Sequence, residues 1–143
     1  MGATTDKHVS NIYTAIRNLK QAIQHLDIVN EGFTEDWKLM VAAYEKNGHQ
    51  KTTYGPTLKG YVDQFTNLLV VAAREKVAAV NAVAAFETFV NHKEAANLNP
   101  LKKAKIAAKK KFVTDAKSSL QKYIVPNNHL KVGYDYVKNN NYI

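Results

Sequence analysis

The sequence predicts an all-α protein: an elongated, four-helix bundle-like domain with a short C-terminal extended or β-like arm. Three observations carry that expectation. Apolar residues recur at steps of three and four along most of the chain, beginning with Val9, Ile12, Ile16, Leu19, Ile23 and Leu26. Helix start and stop residues separate these stretches, most clearly Asn99-Pro100 before one and Pro126-Asn127-Asn128 after it. The chain has 143 residues and no cysteine, so one domain must hold together by its core, without disulfides or thiolate-bound metal.

The expected elements, within a single helical domain over 1–143, are helices at about 6–30, 35–47, 57–96 and 100–125 and an arm at 129–143. Thr5 suits the cap of the first helix and Gly32 its end. Its narrow apolar stripe fits packing against one or two neighbours, in this chain or in a second copy. The second helix opens with Thr34-Glu35-Asp36, a cap and two acids at the positive end of a helix, and ends at Asn47-Gly48. Its face carries Trp37, Met40, Val41 and Tyr44, with the tryptophan as a core anchor.

Two glycines and a proline mark residues 48–56 as a loop. The third segment then runs to Ala96 with no internal proline, first with Leu58, Tyr61, Val62, Phe65, Leu68, Leu69 and Ala72 on one face, then alanine and valine on nearly all sides. A helix of that length spans roughly 60 Å at 1.5 Å per residue, which implies either a kink near Arg74-Glu75-Lys76 or an elongated molecule. The fourth helix has Ile106, Val113 and Leu120 seven apart. In the arm, Leu130, Val132, Tyr134 and Tyr136 alternate with Lys131, Gly133 and Asp135, the period of a strand. A lone strand needs a partner, which is either a neighbouring molecule or the Gln50-to-Tyr54 loop of the same chain.

Charge is the most informative feature. Residues 1–98 hold ten basic and ten acidic side chains, whereas residues 99–143 hold ten lysines against Asp115 and Asp135, so the last third carries the whole net charge of +8. Six lysines, Lys102, Lys103, Lys105, Lys109, Lys110 and Lys111, fall within ten residues. All but Lys111 lie within an arc of about 160° on a helix. Such a cluster attracts phosphate backbones without reading sequence, and Lys102, Lys103, Lys105, Lys109, Lys110 and Lys117 are the candidate nucleic-acid contacts. Eighteen lysines against two arginines favour point-charge contacts over bidentate base reading. The competing reading is a lysine-rich face that only keeps the helix solvated.

Catalytic chemistry finds little material. The five histidines show no i,i+3 or i,i+4 pairing, the carboxylates are dispersed, with the pairs Glu35-Asp36 and Glu31/Glu35 read as helix-start acids, and Gly55-Pro56-Thr57-Leu58-Lys59-Gly60 lacks the spacing of a phosphate loop. No catalytic residue, metal ligand or cofactor is expected. The stretch Leu68 to Val90 is too polar to span a bilayer, and the N-terminus has no apolar signal region, which fits an intracellular or virion protein.

In size, charge and helicity the chain is similar to coat proteins of filamentous archaeal viruses and to small helical subunits of CRISPR effector complexes. The helix from Ala107 to Tyr123 with its Pro-Asn-Asn end also resembles an uncharacterised helical domain of bacterial and phage proteins, and none of these likenesses carries a functional residue over. The expected function is a non-enzymatic structural subunit, such as a viral or phage coat or virion protein. It would self-associate as a homo-oligomer or larger assembly through Leu130, Val132, Tyr134, Tyr136 and Tyr142, and contact DNA or RNA backbone through its lysines. The alternative is a bacterial or phage accessory module that binds another protein and has no nucleic-acid role.

Overall fold

The computed structural model describes residues 3–97 and 99–143. These form α1 (Ala3–Lys46), α2 (Gly55–Ala96), α3 (Pro100–Gln121) and α4 (His129–Asn139), with no strand among them. The fold is all-α, helix packed on helix.

A single helix, α1, stands where two were expected at 6–30 and 35–47. Thr5, Ile12, Leu19, Leu26, Phe33 and Met40 are all buried and succeed one another at intervals of seven, so the stripe keeps its phase through Gly32. An interior glycine costs about 1 kcal/mol relative to alanine, too little to break a helix whose apolar face is buried before and after it. Thr34 is no cap; its hydroxyl donates back to the Asn30 carbonyl at 2.8 Å, as threonine does within a helix. Thr5 likewise lies inside α1 and is buried.

Helix α2 follows the same rule, with Leu58, Phe65, Ala72, Ala79 and Phe86 buried every seventh residue and Val62, Val83 and Val90 on an adjacent line. Lys76 falls on that second line. Its half-buried ammonium donates to the carbonyls of Leu120 and of Tyr123, the latter at 2.8 Å. The charge in the stripe is therefore satisfied, and α2 runs unbroken through Arg74-Glu75-Lys76. Helix α3 begins as expected, with Asn99 Oδ1 accepting from the Leu101 N–H at 2.9 Å and Pro100 at the first position, and it ends at Gln121 instead of 125.

The extended or β-like arm is corrected: His129–Asn139 is helix α4. Leu130, Gly133, Tyr134 and Val137 stand at i, i+3, i+4 and i+7, so the residues that suggest alternation also form a helical stripe. Tertiary contact decides between the periods. Leu130 and Val137 are buried, and a Cβ on Gly133 would lie 3.3 Å from Trp37 Cζ3, so the bare backbone of α4 approaches α1 at this point. Asn128 caps the helix by accepting from Lys131, and Lys131 pairs with Asp135 one turn on.

The packing falls into two compact units, one made of the chain up to Gln21 with Ala73–Ile124, the other of Ala22–Ala72 with Val125–Ile143. Ile12, Leu19, Phe86, Val113 and Leu120 are core residues of the first. Leu26, Phe33, Met40, Phe65 and Leu130 belong to that of the second, with Trp37, half-buried, packed against them. Within the second unit the C-terminus packs on its own chain. The Tyr142 carbonyl accepts from the Thr52 N–H at 2.8 Å and the Thr52 hydroxyl at 2.9 Å, and the Tyr142 and Tyr44 rings lie 4.3 Å apart.

Candidate functional site

The lysines of α3 do not form one outward face. At 100° per residue the buried stripe Ile106, Val113 and Leu120 runs through the middle of the arc that the lysines share, so they flank packed surface on both sides. Lys105 and Lys109 lie on one side; Lys103, Lys110 and Lys117 lie on the other. Lys102 is on the line of the stripe, one turn before its first residue.

The two sides meet different surroundings. Lys110 pairs with Glu94, and Lys117 with Glu87 at 2.5 Å, each joining α3 to α2. A small cavity of about 240 Å³ beside them is lined by Glu87, Val90, Asn91, Lys110, Val113 and Thr114. On the other side Lys102, Lys105 and Lys109 border a cleft of about 950 Å³ whose further walls come from α1 and the C-terminal half of α2. Lys93 of α2 also lines it, with its Nζ 5.6 Å from the centre of the Phe89 ring. Among the described residues no carboxylate lies within salt-bridge distance of Lys102, Lys103, Lys105 or Lys109.

The cleft has an aromatic floor that sequence reasoning missed. Phe86 stands at 5.9 Å from Phe112, Phe112 meets Tyr13 edge-on at 5.6 Å, and His8 stacks against Phe86 and Phe89 at 5.5 and 5.1 Å. Tyr13 remains 62% exposed. One local signal was available: Tyr13 sits beside the buried Ile12, off the α1 stripe, which is where an aromatic faces something other than the core. Tyr13 of α1, Phe86 and Phe89 of α2 and Phe112 of α3 come together, with His8 of α1 against the two α2 rings, only through tertiary packing.

Of the candidate assembly residues, Leu130 is buried and Tyr134 and Tyr142 pack against the core of the second unit. Val132 and Tyr136 remain exposed, one helical turn apart on α4. Elsewhere among the described residues no three histidine, aspartate or glutamate side chains converge as a metal site would require, and no helix is long and apolar enough to cross a membrane. Comparison with protein-family models, curated proteins and solved structures finds no match to this chain.

Proposed function

We propose that the protein is a non-enzymatic structural and assembly subunit, of the kind found in viral or phage coats and virions, that contacts nucleic-acid backbone without sequence preference. The supporting observation is the division within α3: Lys110 and Lys117 are neutralised by α2 carboxylates, whereas Lys102, Lys103, Lys105 and Lys109 have none within reach among the described residues. Unpaired ammonium groups clustered on one helix release counterions from a phosphate backbone. Lysine in place of arginine supplies charge without the planar fork that reads bases.

The test is binding to unrelated DNA and RNA sequences across a salt series. Substituting Lys102, Lys103, Lys105 and Lys109 by glutamine is expected to weaken all of them alike and to lower the logarithmic salt slope by roughly 3 to 4 units. Full affinity and slope in that variant would overturn the reading. Self-association is assigned to the exposed pair Val132 and Tyr136. The second reading, a protein-interaction module, draws on the same exposed pair, and it would stand if sedimentation showed one constant mass with or without nucleic acid.

A further inference from the structure

Resting on the nucleic-acid reading, we propose that the cleft of the first unit is a single-strand site, with phosphates on Lys102, Lys105, Lys109 and Lys93 and bases laid against Tyr13 and the half-buried Phe89 and Phe112, which the buried Phe86 backs. The cleft combines a cationic wall with an apolar floor, so its occupant must be anionic along one edge and apolar on another. A duplex has phosphates outside and its base faces stacked within, and offers the floor nothing. A single strand offers both, and the pairing of a positive groove with aromatic side chains is the general device for holding one.

Geometry adds two points. Tyr13 touches Phe112 edge-on, at 77° between the rings, which leaves a tyrosine face open for stacking. Lys102, Lys105 and Lys109 follow one another at three and four residues along α3, a rise of roughly 4.5 and 6 Å. The three ammonium groups therefore follow one edge of the cleft as a row along which a phosphate backbone can run. Lys93 of α2, held over Phe89 one turn back on its own helix, adds a cation to the wall facing α3.

The experiment is fluorescence anisotropy with labelled oligo-dT and a duplex of equal length, with folding of each variant checked by circular dichroism. The single strand is expected to bind roughly ten-fold tighter than the duplex, and Tyr13→Ala to weaken it roughly ten-fold while leaving the duplex unchanged. Ala108→Trp fills the cleft from an exposed position of α3 and keeps every lysine; it is expected to do the same. Lys138→Gln, in the other unit, is expected to change neither. Equal affinity for both nucleic acids with Tyr13→Ala and Ala108→Trp neutral would overturn the cleft assignment and leave the backbone-contact reading standing. No binding to either would overturn both. Dodecyl phosphate binding tighter than the oligonucleotide, and lost in Ala108→Trp, would overturn the assignment in favour of an acyl-chain ligand.

Discussion

The ring of Tyr61 lies against the bare backbone of Gly32: a Cβ placed on the glycine would fall 2.6 Å from Tyr61 Cε1 and 2.9 Å from its Cζ. The Asp36 carboxylate, one turn further along α1, lies beside the phenol and favours its protonated form. The glycine therefore marks a close approach of α1 and α2 and not the end of a helix. Gly32→Ala is expected to destabilise the protein by about 1–2 kcal/mol, because the packed ring must shift, against a helix-propensity gain of about 1 kcal/mol. In a Tyr61→Ala background the same substitution is expected to stabilise. Urea denaturation of the four proteins in this cycle gives the coupling; a stabilising effect in both backgrounds would show that the ring does not set the choice of glycine.

Tyr61 also gives a pH signature. Its phenol is held above its ordinary value of 10.0, chiefly by the hydrogen bond to Asp36, then by burial and by the negative charge of Asp36. Folding thus favours the protonated phenol. This contribution to stability is complete below pH 10.0 and is lost as pH rises through the higher folded value. Lys59, raised by its bond to Asp63, acts in the same direction, so the informative quantity is the difference between wild type and Tyr61→Phe. As pH rises from 10.0 through the higher folded value, the wild type is expected to lose stability more steeply than the variant. Parallel curves would refute this.

These residues show which parts of the molecule were legible in sequence. The interval of seven from Ile12 through Phe33 to Met40 crosses Gly32 without losing phase, so the continuity of α1 was present in the pattern. The reason a glycine stands there comes from Tyr61, a contact that no local rule contains. At the C-terminus Leu130 and Tyr134 satisfy a period of two and a period of 3.6 alike, and what decides is Gly133 meeting Trp37 and Phe33. The lysine cluster was readable from composition, and so was the stripe of Ile106, Val113 and Leu120. Superposing the two angular patterns would have shown that the lysines straddle it. The cleft was not readable, because Tyr13, Phe86, Phe89 and Phe112 come from three helices and converge only through packing.

Lys76 ties α2 to the end of α3. Helix α3 has no basic residue in its own last turn, and the ammonium of Lys76 supplies the cation its exposed carbonyls favour. Lys76→Met keeps the stem but removes the donors, leaving the Tyr123 carbonyl without this partner. The expected cost is about 1–3 kcal/mol, with the melting temperature lowered by several degrees. Hydrogen exchange locates the effect: amides of Lys122 and Tyr123 are expected to lose protection before those of α4. Uniform loss over the chain, or no loss, would show that Lys76 does not hold this helix end.

The C-terminal turn acts as a latch on the loop that joins α1 to α2. Asn141 adopts a left-handed conformation, φ 64°, which folds the chain back so that the Tyr142 N–H reaches the Val137 carbonyl at 2.9 Å. That turn presents the Tyr142 carbonyl to Thr52 and its ring to Tyr44, while Ile143 comes within 3.6 Å of where a Cβ on Gly55 would be. Removing residues 140–143 deletes both hydrogen bonds from Thr52 and the ring contact with Tyr44, together with the bonds of the turn itself to Tyr136, Val137 and Lys138, all within the second unit. The variant is expected to lose about 2–3 kcal/mol with its mass in sedimentation unchanged. Asn141→Gly should retain the latch, since glycine enters the same conformation freely, whereas Asn141→Val should weaken it. A truncated chain that melts as wild type but sediments as a smaller species would show instead that the last residues serve a neighbouring molecule.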